Sequence, residues 1–148
     1  MERKSGWLVA APLIAGVYLA ACQRTHEAAE HIKPAHVEHI EGEEVSRVTL
    51  TPKAAERLGV ALDLVRDQRV TRSATVRKVV PYGAVLYDPA GRTWVYTSPD
   101  SLVYVRREIV VDYIEGDLAV LTDGPPAGTR VVTLGATELH GAEFEIGH

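Results

Sequence analysis

The stretch from Val80 to Tyr96, VPYGAVLYDPAGRTWVY, decides how the rest of the chain is read. Ala84 to Tyr87 is apolar and ends at Asp88-Pro89-Ala90-Gly91, a four-residue turn signal. Asp accepts backbone hydrogen bonds in such a turn, Pro presets φ and Gly admits positive φ. Thr93 to Thr97 then brings Trp94, Val95 and Tyr96, residues that suit a pleated surface. The unit is strand, turn, strand, and the same grammar continues in both directions.

Downstream, Ser98-Pro99-Asp100 predicts a reversal, followed by strands over Leu102 to Val105 and Glu108 to Tyr113. Glu115-Gly116-Asp117 reads as a hairpin turn into a strand over Leu118 to Thr122. Asp123 to Gly128 holds Gly124-Pro125-Pro126-Ala127-Gly128, a loop, and Arg130 to Leu134 is a further strand. A last short strand is expected at Phe144–Ile146. Upstream, Val76 to Val80 is β-branched and ends at Pro81, while Val60, Leu62 and Leu64 alternate toward Val70. Before them, Thr51 can cap a helix with Pro52 at its first position and Gly59 as its stop. Short strands with turn signals at nearly regular spacing predict a mainly β fold. We expect a small roll or barrel-like domain over residues 45–148 with one short helix, Thr51–Gly59.

The first residues read as an address. Arg3 and Lys4 precede an uncharged apolar run, Trp7 to Ala21. A spanning helix needs about 20 such residues, so the run suits a signal peptide over residues 1–21. It ends in Leu19-Ala20-Ala21-Cys22, which resembles the bacterial lipobox. That resemblance implies cleavage before Cys22 and a diacylglyceryl lipid on its sulfur. An uncleaved anchor helix with a chance cysteine is the plainer alternative. Cys22 is the single cysteine, so a disulfide framework or a Cys-rich zinc site is excluded. The expected location is exported and membrane-anchored, facing the periplasm or the cell exterior.

Residues 22–44 form the next segment, Glu- and His-rich and interrupted by Pro34 and Gly42. We read it as a flexible tether. It holds four of the six histidines, His26, His31, His36 and His39, which are candidate ligands for weak transition-metal capture. A solvated polar tether is the competing reading.

Catalytic patterns are sparse. No second cysteine, no Gly-x-Ser-x-Gly elbow and no phosphate-cradling glycine loop occurs. Asp88, Asp100, Asp112, Asp117 and Asp123 fall in or beside expected turns, where carboxylates satisfy backbone donors. We therefore expect no enzyme and no resident cofactor. The net charge of −4 lacks the basic face that nucleic-acid binding requires. Trp94, Tyr96 and Tyr104 read first as packing in the core or across strands, with an exposed docking patch as the alternative. Arg106 and Arg107 are candidate docking residues for acidic headgroups or a partner, with a solvated edge that blocks strand pairing as the equal alternative.

One resemblance runs through the domain. Val80-Pro81-Tyr82-Gly83-Ala84-Val85-Leu86-Tyr87 and Gly91-Arg92-Thr93-Trp94-Val95-Tyr96 are followed by Arg107-Glu108-Ile109-Val110-Val111. Gly124 to Val132 and Gly135-Ala136-Thr137-Glu138-Leu139 complete the series, and Val48 to Val60 precedes it. In order and spacing these segments resemble the membrane-proximal ends of the periplasmic adaptor (membrane fusion) proteins of resistance–nodulation–division efflux pumps. Full adaptors carry a helical hairpin and lipoyl half-motifs between those ends. Here Val70 to Val79 leads almost directly from one end to the other. Asp112-Tyr113 and Pro125-Pro126 depart from the family pattern, where glycine and Gly-Leu are usual. The resemblance implies a lipid-anchored accessory subunit whose partners are the membrane, an inner-membrane efflux transporter or a full-length adaptor.

Overall fold

The computed structural model describes residues 33–144. They form a mainly β fold whose sheet curls into a half-barrel with two short helices. In chain order the elements begin with β1 (Ala35–His39), β2 (Ser46–Leu50) and α1 (Pro52–Leu58). Next come β3 (Ala61–Leu64), β4 (Arg66–Arg69), β5 (Val76–Pro81), a 3-10 turn at Tyr82–Ala84 and β6 (Leu86–Tyr87). The chain continues through β7 (Thr93–Asp100), β8 (Val103–Glu115), β9 (Leu118–Asp123), β10 (Arg130–Leu134) and α2 (Ala136–Phe144).

All the strand pairs are antiparallel, and the main path runs β3-β10-β7-β8-β9-β5-β4, with β2 also on β8 and β1 on β2. The Val48 to Val60 segment joins the later strands where β2 meets β8, and β3, which follows that segment, pairs with β10. Two main clusters fill the interior. Val48, Leu50, Tyr96, Tyr104, Val132 and Leu139 pack beneath both helices, and Val80, Val95, Ile109, Leu121 and Val131 pack elsewhere along the sheet.

Helix α1 follows the sequence closely. Thr51 Oγ1 accepts from Ala54 N at 3.2 Å, Pro52 opens the helix, and Gly59 closes it in the left-handed region at φ 62°. Five expectations are corrected. The reversal expected at Ser98-Pro99-Asp100 lies later, because β7 runs on to Asp100 through a bulge and the chain turns at Ser101-Leu102. The two strands expected between Leu102 and Tyr113 are one strand, β8, of 13 residues, bent by bulges near Val111. The strand expected from Val60 to Val70 is split at Val65, whose N–H and C=O bond Thr129 and Gly128.

The fourth and fifth corrections concern the two ends of the described residues. Ala35 to His39, expected within a flexible tether, pairs with β2 because Ala35 and Val37 pack on the core. At Phe144, where a last strand was expected to begin, α2 runs instead, and residues 145–148 lie outside the described residues. The helix forms because Ala136, Leu139 and Glu143 fall on one buried face. Among the described residues no helix is long and apolar enough to cross a membrane.

Candidate docking site

The five candidate docking residues sit on β7 and β8, and strand alternation divides them. Tyr96 stands opposite Arg106, and Val95 opposite Arg107. Neighbouring residues of a strand point to opposite faces, so Arg106 and Arg107 separate. Arg106 is 4% exposed, and Trp94, Tyr96 and Tyr104 are buried with it. The three aromatics take the core-packing reading and form no exposed patch; of the five residues only Arg107 is exposed.

The buried four organise a polar knot closed by α2. Arg106 Nε donates to Glu143 Oε2 at 3.1 Å and its Nη2 to Oε1 at 3.3 Å. The Tyr96 hydroxyl donates to the same Oε2, and Ser46 N donates to Oε1 at 3.0 Å. Arg106 also gives Nη2 to the Glu44 carbonyl at 3.3 Å and lies 4.2 Å over the Trp94 ring. Burial, reinforced by the Glu143 carboxylate, raises the Tyr96 hydroxyl far above its ordinary value and keeps it a donor. Burial also raises Tyr104.

Trp94 links this knot to the turn before it. Its Nε1 donates to Asp88 Oδ2 at 3.1 Å, where Arg92 Nε also donates at 2.8 Å. Asp88 Oδ1 takes the backbone N–H groups of Ala90 and Arg92. Desolvation pushes the Asp88 carboxyl up, but the donors together outweigh it and bring it down to about 2. The Asp88 carboxylate is thus fully engaged in holding the turn.

Arg107 leads to a different place, an open cleft of about 430 Å³. Thr97, Arg107 and Glu108 line one side, and Asp123, Gly124, Pro125, Pro126 and Thr129 the other. Arg107 Nη1 meets Glu43 Oε2 at 3.3 Å on the surface. Lys78 Nζ donates to the Gly124 carbonyl at 2.7 Å and fixes the proline loop. A Cβ at Gly124 would stand 3.0 Å from Leu121 Cδ1 and 3.1 Å from Ile109 Cγ2, tighter than an ordinary contact. The Thr97 hydroxyl is committed to the Val105 carbonyl at 2.9 Å. The cleft is lined by two prolines, one cation and two exposed carboxylates.

The remaining sequence candidates are placed as follows. His36 and His39 are both exposed on β1, an odd number of residues apart, so they point to opposite faces. Cys22, His26 and His31 lie outside the described residues. Among the described residues no group of three or more His, Cys, Asp or Glu side chains is disposed to hold a metal ion. Sequence reasoning missed Glu143, which it left in an unassigned tail, and took Asp123 to Gly128 for a plain loop. No family model, no curated protein and no solved structure matches the chain.

Proposed function

We propose that the protein is a lipid-anchored, adaptor-like accessory subunit that docks on an efflux transporter or on a full-length adaptor and performs no catalysis. In this reading Cys22 carries the lipid and residues 23–32 lead to the folded domain. The observation that carries the proposal is the closure of two distant segments into one sheet. Val48 to Val60 and Val80 to Leu139 are the parts of the sequence that resemble the two ends of an adaptor. They meet through the β2–β8 pair, without a hairpin or lipoyl insert between them. The cleft beside Arg107 and Pro125-Pro126 is the surface we assign to docking.

The test is a photo-crosslinking residue placed at Glu108 or Pro126 in the full chain, in its native cell, with mass spectrometry of the adducts. Adducts with an inner-membrane transport subunit or a full-length adaptor are expected. Adducts confined to other proteins, with the cleft labelled efficiently, would refute the reading. Metal capture is not favoured by any specific observation, since His36 and His39 diverge from the two faces of β1.

A further inference from the structure

Apart from the two-residue β6, three strands border the sheet with one side unpaired among the described residues: β1, β3 and β4. A free edge is a template for another strand unless it is guarded. Two of the three are guarded. On β3, Val65 bonds Gly128 and Thr129, so Leu64 presents its N–H outward, and that N–H is already taken by Asp63 Oδ1 at 2.7 Å. Asp63 is also held by Arg66, and pairing two β3 edges about Asp63 would set like charges face to face. On β4, Arg66, Asp67 and Arg69 are charged and exposed in a strand of four residues.

Edge β1 is charged only at Glu38, which Arg47 pairs. Its register with β2 is continuous, Ala35 opposite Leu50 through His39 opposite Ser46. The same register continues at both ends through Thr51 N to the Pro34 carbonyl at 3.0 Å and Ile40 N to the Val45 carbonyl at 3.3 Å. Hydrogen-bonded pairs alternate along an antiparallel ladder. Residues 34, 36, 38 and 40 therefore face β2, and Ala35, Val37 and His39 turn their N–H and C=O groups outward.

We propose that β1 is a homodimerisation edge, on which two copies of this chain pair antiparallel about a two-fold axis at Val37. The register follows from the outward set. Val37 lies opposite Val37 of the second copy, Ala35 opposite His39, and His36 opposite Glu38. Each outward N–H then has a carbonyl partner. The side chains agree on both faces. Ala35 and Val37, which already pack on the core, extend it across the axis. On the solvent face each His36 imidazole meets a Glu38 carboxylate of the other copy, twice, and no like charges stand directly opposite. Glu38 binds Arg47 through Oε2 at 3.0 Å, which leaves Oε1 to accept from the imidazole. The five-residue sequence AHVEH is thus complementary to itself when reversed. A ladder this short buries less than a permanent interface needs, so the dimer is weak and depends on concentration. The inference is independent of the efflux reading and of lipidation at Cys22.

The experiment is sedimentation of the full chain in detergent micelles, with the protein varied up to about 1 mM, the range of weak association. The protein mass is expected to double with concentration. Val37→Pro removes an N–H that is unpaired in the monomer, so the fold tolerates it, but it lies at the centre of the dimer ladder; this variant should stay monomeric with unchanged circular dichroism. His36→Glu places Glu opposite Glu38 at both sites and should weaken the dimer about tenfold. The swap His36→Glu with Glu38→His should restore it. A monomer at every concentration would overturn the proposal. A dimer that ignores Val37→Pro would overturn it too, by assigning association to another part of the chain. Failure of the swap to rescue would overturn the register.

Discussion

Replacing Glu143 by alanine is the sharpest test of how this domain is closed. The substitution removes one carboxylate and strands three partners: the Arg106 guanidinium, the Tyr96 hydroxyl and Ser46 N. The Arg106 side chain is only 5% exposed, so water cannot replace the lost oxygens without prising α2 away. What remains for it is the Glu44 carbonyl at 3.3 Å and the Trp94 ring. Removing one partner of a buried ion pair costs about 3–5 kcal/mol. Domains of this size hold about 5–15 kcal/mol in total, so the variant should be folded only marginally. With a urea slope of about 2 kcal/mol per molar, the midpoint should fall by about 2 M. Trp94 fluorescence, read in a Trp7→Phe background, follows the transition. A control separates the stranded charge from lost packing. Arg106→Met combined with Glu143→Leu should recover the part due to the stranded charge, because a buried pair replaced by apolar groups of similar volume is often neutral, while the Tyr96 hydroxyl and Ser46 N stay unpaired. If Glu143→Ala costs under about 1 kcal/mol, the size of one ordinary hydrogen bond, the carboxylate is not the buried partner described here and the reasoning fails.

Two further outcomes follow from the same geometry. Asp88 has a folded pKa lowered to about 2 from an ordinary 3.8, so its contribution to stability is present above pH 3.8 and is lost as pH falls toward 2. Carboxyl NMR titration should show Asp88 titrating near 2, and Arg92→Ala should move it upward; an ordinary Asp88 value in the folded protein would contradict the four-donor turn. Gly124→Ala forces a methyl against Leu121 and Ile109 and should lower the urea midpoint by the equivalent of about 1–3 kcal/mol; no change would mean the proline loop does not sit as described.

Much of the β architecture was legible because the turns are written in residue chemistry. Asp88 to Gly91, Gly116 and the Thr51–Gly59 capped helix each use a residue type that few alternatives replace. What stayed hidden was long-range. Arg106-Arg107 looked like a charged interruption between two strands, or a basic patch. Nothing local announces that a glutamate 37 residues later neutralises the first of them. A strict period-two reading would have separated the two arginines. It could not have supplied the partner, because Glu143 is the buried charge in a helix whose other buried positions are only Ala136 and Leu139. Gly141 weakened the helical signal further. Strand β1 was missed for a related reason. His, Glu and Pro weigh against a strand in isolation, whereas Ala35 and Val37 find their apolar contacts only once α1 and the half-barrel exist.

The placement of Glu143 also orders events in time. Arg106 is made 37 residues before the group that neutralises it, and Ser46 97 residues before. While a chain is emerging, or after its C-terminal end has been clipped ahead of residue 143, Arg106 stays hydrated and the face under α2 stays open. Final closure is therefore a late, non-local step of the kind that slows β folding. A chain clipped ahead of α2 loses the Glu143 carboxylate and leaves Arg106 unpaired on β8.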